Sequence, residues 1–303
     1  MIKIDSITKN FDTVRSLNNV SLQIADGSIF GLIGSNGSGK STLLRILCGV
    51  YRQDAGDILY DSFPVYENTD VKRNIVYLSD DQYFLPNSTA SDMKCLYMSV
   101  YPTFSEEKYK QYLDLFGLDE RRKISTFSKG MQKQVSIILG IAAQTDYLLC
   151  DETLDGLDPV MRQTVRRIIA GEVAERGMSV IFASHNLKEI EDICDHVALL
   201  HRGELLFEAG IDDIKLGLHK IQISFDRERA EAMQTVLETL KPVSLEKRGS
   251  LYTLVARGNE AELAETLNQL KPVFVEFIPL TLEEIFIAEM EERGYEFDES
   301  FIG

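Results

Sequence analysis

Gly34-Ser35-Asn36-Gly37-Ser38-Gly39-Lys40-Ser41-Thr42 satisfies every fixed position of the phosphate-binding pattern G-x-x-x-x-G-K-[ST]. The apolar run Ser28-Ile29-Phe30-Gly31-Leu32-Ile33 in front of it reads as a buried strand. Behind it, Leu43, Leu44, Ile46 and Leu47 recur at helical spacing. The pattern requires a strand, a loop and a helix, and all three are in place. The glycines let successive backbone N–H groups turn toward one concavity, where the positive end of the following helix adds to the field. Such a concavity suits a polyphosphate. Lys40 can reach the outer phosphates as a point charge, and the Ser41 hydroxyl is placed to ligate a Mg²⁺ that bridges them.

The 303 residues suffice for a sizeable core and for two domains. The formal charge of −16 would repel nucleic acid and anionic lipid, so neither is expected as a direct partner. Cys48, Cys95, Cys150 and Cys194 are scattered among apolar neighbours with no C-x-x-C pair, which argues against a disulfide framework or a zinc site. The first residues, MIKIDSITKN, contain no apolar signal-type segment. No window approaches the ~18 consecutive apolar residues of a membrane helix. A membrane role would therefore come through a partner.

Further along, short alternating runs in residues 1–33 predict an antiparallel edge feeding a mostly parallel core, with Phe11 placed either to stack on a base or to fill the core. Ser88–Asp92 reads as a helix start, and a second helix runs from Ser105 to the stop at Gly117. Phe127-Ser128-Lys129-Gly130-Met131-Gln132 opens an amphipathic helix reaching about Ala143, whose start, with Ser128, Lys129 and Gly130, suits an anion. Tyr147-Leu148-Leu149-Cys150 is a buried strand ending in Asp151-Glu152. Paired carboxylates there call for a cation: Asp151 holds Mg²⁺, and Glu152 orients or deprotonates water. Pro159 begins the next helix after the turn Asp155–Asp158. Ser184-His185 ends another core strand at the same sheet edge, which places His185 near the terminal phosphate.

In that order GSNGSGKST, FSKGMQ, YLLCDE, DGLD and SH, spread over residues 1–210, resemble the ATP-binding subunits of ABC transporters. The resemblance implies an α/β P-loop NTPase cassette, a mixed sheet with an antiparallel β edge and a helical subdomain over about 86–143. It implies ATP and Mg²⁺ as ligands and ATP hydrolysis as activity. Residues 34–42 become the Walker A loop, with Ser35, Asn36, Gly37, Ser38, Gly39, Lys40, Ser41 and Thr42 on the nucleotide, and Phe11 the adenine-stacking aromatic. Ser128, Lys129 and Gly130 belong to the signature motif, Asp151 is the Walker B aspartate, Glu152 the catalytic carboxylate, Asp158 the D-loop aspartate and His185 the switch histidine. The family works as a head-to-tail pair of these subunits driving a transmembrane permease. This implies a homodimer that is peripheral on the cytoplasmic face of the membrane and not inserted in it.

Three departures from the family pattern stand out. Lys129 and Met131 replace the commoner Gly and Gln, a form similar to that of ABC-2 type exporters of drugs and peptides. Asp80 takes the position of the Q-loop Gln, where a carboxylate could ligate Mg²⁺ or its water. Thr153-Leu154 replaces Pro-Thr. A soluble ABC-type ATPase with a regulatory role is the alternative to a transporter; a GTPase is disfavoured because no N-K-x-D motif occurs. Within the domain expected over 211–303, the pattern changes from about His219 to strand, helix (227–240), two strands around Arg248-Gly249-Ser250, helix and strand. The order βαββαβ predicts a small α+β ferredoxin-like accessory or regulatory domain. Thr281-Leu282-Glu283-Glu284 opens a last helix with a capping box, and residues 283–303 carry eight acidic side chains against Arg293, a net of −7.

Overall fold

The computed structural model describes residues 1–226 and 232–292. The chain divides into two compact units, Met1–Glu208 and a second from Ala209 onward. The first opens with strands β1 (Ile2–Phe11), β2 (Val14–Ile24) and β3 (Ile29–Ile33), then helix α1 (Lys40–Leu47). After it come β4 (Ala55–Tyr60), β5 (Phe63–Pro64), α2 (Thr69–Lys72) and β6 (Ile75–Leu78), followed by the helices α3 (Ala90–Val100), α4 (Glu106–Phe116) and α5 (Lys129–Ala142). The unit closes with β7 (Tyr147–Asp151), α6 (Pro159–Arg176), β8 (Ser179–Ser184), α7 (Leu187–Glu191), β9 (His196–His201) and β10 (Glu204–Gly210).

These strands form two sheets. The antiparallel edge expected from the first 33 residues is a four-stranded sheet of its own, ordered β2-β1-β4-β5. Its inward residues, Ile2, Ile4, Ile7, Leu17, Val20, Leu22 and Ile24, are buried on one covered face, alternating except where the β1–β2 register shifts between Ile4 and Ile7 and between Leu17 and Val20. The second sheet is six-stranded, β10-β9-β3-β8-β7-β6, and its β9-β3, β3-β8, β8-β7 and β7-β6 pairs are parallel. Covered on both faces, β3, β7 and β8 are buried at every residue. Helix α1 lies between the sheets; its Leu43, Leu44, Ile46 and Leu47 join one core with residues of both. Each such buried side chain contributes about 1.5–3 kcal/mol, so the helix that carries Lys40 and Ser41 is firmly seated.

The helical layer starts and stops where its sequence signals lie. Thr89 caps α3 in a reciprocal box with Asp92, Ser105 caps α4, and Gly117 ends it in the left-handed conformation (φ 64°). Ser128 caps α5 by accepting from the Met131 N–H at 3.2 Å. Among the described residues no helix is long and apolar enough to cross a membrane.

One buried carboxylate ties this layer to the core. Glu172 of α6, 1% exposed, accepts hydrogen bonds from Lys108 Nζ (2.7 Å) and the Tyr112 hydroxyl (2.8 Å) of α4, from Gln144 Nε2 (3.0 Å) and from Arg176 Nε (2.7 Å). Burial alone would raise its pKa, but the donors, Lys108 and Arg176 first, outweigh it and hold it at about 2.

In the second unit α8 (Ile211–Gly217) leads into β11 (Leu218–Ser224), α9 (Ala232–Leu240), β12 (Ser244–Arg248), β13 (Leu251–Arg257), α10 (Glu260–Gln269), β14 (Phe274–Ile278) and α11 (Leu282–Glu292). The sheet order is β12-β13-β11-β14, with all pairs antiparallel. Ile221 and Ile223 of β11 share a core with Val236 of α9, Leu254 of β13 and Leu263 and Leu267 of α10. Thr281 and Glu284 close the expected capping box at α11. The first five residues of the helix expected over 227–240, and the acidic run from 293, lie outside the described residues.

Glu172→Ala would leave Lys108 and Arg176 without their buried partner and lower stability by ~3–5 kcal/mol, read as a lower urea midpoint. The folded carboxyl titrates well below the unfolded one, near about 4.3. The contribution of Glu172 is therefore complete above that pH and is lost as pH falls toward 2. The wild-type urea midpoint should fall over that window, and that of Glu172→Gln should fall less steeply.

Candidate functional site

Strand register assembles the site. In the parallel ladder Ile33 of β3 lies opposite Ser184 of β8, and Ala183 lies opposite Asp151 of β7. The residues that follow these strand ends, Gly34, His185 and Glu152, therefore emerge side by side at one carboxyl edge, the place where open α/β sheets bind ligands.

The loop from Gly34 to Thr42 is shaped by backbone. Helix α1 begins from Gly39 in a left-handed conformation (φ 108°), and no side chain caps it, which leaves its first N–H groups facing the loop's hollow. A Cβ on Gly39 would lie 2.7 Å from the Ser16 carbonyl oxygen and 2.8 Å from Leu17, so the position is closed to other residues on two counts. Ser16 also donates to Thr42 Oγ1 at 2.8 Å. The Ser38 hydroxyl is buried without a protein partner.

Lys40 is 5% exposed, and its Nζ donates to the Gly34 and Ser35 carbonyls at 2.6 and 3.2 Å. Glu152 Oε1 stands 3.6 Å away. Burial pushes the Lys40 ammonium below its ordinary pKa, against the upward pull of Glu152 and Asp151. A buried cation held by carbonyls at the mouth of an N–H-lined hollow offers a polyphosphate what it needs.

Asp151, 1% exposed, accepts from Ser41 Oγ at 3.0 Å on one oxygen and from the Tyr77 hydroxyl at 2.9 Å on the other. Burial, and then the Asp151 charge, push the Tyr77 phenol up, so it stays a donor. Ser41 and Asp151 thus present adjacent oxygen atoms, the donor type a hard divalent cation takes. Glu152, next in the chain, is left-handed (φ 46°), an uncommon conformation that for a non-glycine residue costs about 1–3 kcal/mol and collects at functional sites. Its Oε2 lies 3.1 Å from His185 Nδ1. One ligand atom each from Glu152, Asp155 and His185 lie within 4.8 Å of one another.

Other expected residues stand elsewhere. Phe11, 40% exposed at the end of β1, leans edge-on against Tyr51 and has Lys9 over its face, so its ring is a surface feature rather than core. The exposed Ser128 and Lys129, with Gly130, begin α5. Lys129 and Gly130 line a depression of about 390 Å³ with Asp80, Asp81, Gln82, Asp155 and Gly156, and no residue of the loop 34–42 lines it. The Asp158 carboxylate caps α6, accepting from the Val160 and Met161 N–H groups at 3.0 Å. Asp80, expected on the metal, pairs with Lys133 Nζ at 3.2 Å, because α5 brings that ammonium to the end of β6. Lys133 also donates to the Glu152 carbonyl at 2.8 Å.

Sequence reasoning missed Tyr77, Lys133 and Asp155. Tyr77 carries a faint signal, since it pairs across from Leu149, two residues before Asp151, and so shares that aspartate's face of the sheet.

A phosphate-cradling loop, an adjacent Ser–Asp pair and a Glu–His pair at one sheet edge define a P-loop nucleotide-hydrolase site. A family model described as ABC transporter matches residues 17–155. The ABC transporter ATP-binding protein YtrB of Bacillus subtilis is 34% identical over 289 residues, which cover 95% of this chain and 98% of that one. The bacitracin transport ATP-binding protein BcrA of Bacillus licheniformis is 29% identical over 71% of each chain. Among solved structures, a dimeric ATP-binding cassette in a post-hydrolysis state with ADP and phosphate has a TM-score of 0.64 at 23% identity. The match covers 70% of this chain and 99% of that one, and it shows the shared fold. The chain belongs to the ATP-binding subunits of ABC transporters, an ATP-hydrolysing family.

Gly39→Ala should abolish nucleotide binding, measured with a fluorescent ATP analogue, and should lower the melting temperature by several degrees through the forced backbone shift.

Proposed function

We propose that this chain powers export of a small molecule or peptide through a separate transmembrane permease, working as a homodimer on the cytoplasmic face of the membrane. The observation that carries the reading is the meeting of Ser41 with Asp151 at 3.0 Å, beside Glu152 and His185 at 3.1 Å. Export is supported by the SKGM signature and by the similarity to BcrA, a bacitracin transport ATP-binding protein. The complete Glu152–His185 pair speaks against a purely regulatory binder.

In this reading the loop N–H groups, other than that of Ser38, which donates to the Ser35 carbonyl, bind the ATP phosphates together with Lys40, and Phe11 offers its exposed ring to the adenine. Ser41 and Asp151 would hold Mg²⁺, which when bound neutralises charge on the β- and γ-phosphates. Tyr77 keeps Asp151 oriented. The Glu152 carboxylate accepts a proton from the attacking water, and His185 stabilises that carboxylate and the terminal phosphate. Ser128, Lys129 and Gly130, at a helix start whose depression no residue of the loop 34–42 lines, would complete the site of the second copy, with Asp158 fixing the turn beside it. The exposed apolar side chains Tyr83, Leu85, Leu96, Met98 and Val100, before and along α3, suit contact with a permease.

Glu152→Gln should bind ATP and dimerise in its presence, as seen by light scattering, while phosphate release falls below about 1% of wild type. Wild-type turnover in that variant removes Glu152 from its role. Tyr77→Phe should raise the Mg²⁺ concentration for half-maximal activity several-fold and leave metal-free ATP binding unchanged. Purification of the chain from its native membrane should bring a permease with it; recovery without any membrane protein contradicts the transport reading.

A further inference from the structure

The catalytic glutamate is held from the helical layer. Lys133 lies one turn into α5, its side chain 13% exposed, and its ammonium joins three segments: its own helix, the Glu152 carbonyl at 2.8 Å and the Asp80 carboxylate at 3.2 Å. Asp80 follows β6 on the segment that leads into α3, and Glu152 follows β7 in the core. Glu152 sits in a left-handed conformation that its neighbours must enforce. Its N–H donates to the Ala183 carbonyl at 3.0 Å, which fixes one side of the residue, and Lys133 fixes the other.

We propose that Lys133, oriented and neutralised by Asp80, is a positioning residue that sets the backbone of Glu152 and so aims its carboxylate. In this chain the pair joins the helical layer to the catalytic edge through Lys133. Any shift of α5 relative to the core changes the donor at the Glu152 carbonyl and with it the aim of the base. The proposal rests on Glu152 as the group that activates water.

The test uses the full chain, with steady-state ATP hydrolysis, ATP binding and melting temperature measured for Lys133→Met, Lys133→Arg, Asp80→Asn and the Asp80→Asn/Lys133→Met double variant. Lys133→Met should lose about tenfold or more in kcat, as a misaimed group does, with ATP affinity and melting temperature close to wild type. Lys133→Arg should recover most of the rate. Asp80→Asn should lose a few-fold alone and nothing further when Lys133 is already Met. The proposal falls if Lys133→Met keeps its kcat, if its affinity and melting temperature drop along with the rate, or if the two substitutions add. It also falls if Asp80→Asn raises the Mg²⁺ requirement whether or not Lys133 is present, since that carboxylate would then serve the metal. The control is Glu152→Gln: an active Glu152→Gln overturns the underlying reading, whereas an inactive one beside a normal Lys133→Met overturns only the positioning role.

Discussion

The hydrogen bond from Ser41 to Asp151 joins groups 110 residues apart, and the rest of the site depends on it. It forms only because β3, β8 and β7 run parallel in a register that ends all three together. A slip of one residue in either ladder would turn Asp151 to the other face and separate the oxygens. The register is in turn held by strands buried at every position, where any slip would also exchange packed Val, Ile, Leu and Phe side chains. Stability and function are thus fixed by the same contacts.

Around that bond both signs of charge converge. Asp151, Glu152 and Asp155 stand opposite Lys40, which burial weakens as a cation. A magnesium nucleotide brings both a cation for the carboxylates and anions for Lys40 and the loop N–H groups, so the site suits the pair better than either part. The left-handed Glu152 and the uncapped start of α1 are local costs accepted at the same edge.

Much of this was legible in the sequence because it depends on local rules. The glycine-lysine loop, the helix starts at Thr89, Ser105 and Ser128, Pro159 at the head of α6, the stop at Gly117 and the apolar strands each state their structure within a few residues. What was hidden depends on which groups meet across the fold. Nothing near Asp80 in the chain announces that Lys133, 53 residues on, will pair with its carboxylate. Tyr77 was hidden for the same reason, since only the β6–β7 register puts its hydroxyl on Asp151. The separation of the antiparallel strands into their own sheet follows from α1 wedging between the two, which no strand pattern records.

The most direct test of the account is a double-mutant cycle on ATP affinity with Ser41→Ala, Asp151→Asn and the double variant, measured with and without Mg²⁺. If the two oxygens share one magnesium nucleotide, each single change removes most of the Mg²⁺-dependent gain in affinity and the double removes no more. Independent, additive losses, or equal losses without the metal, would contradict it.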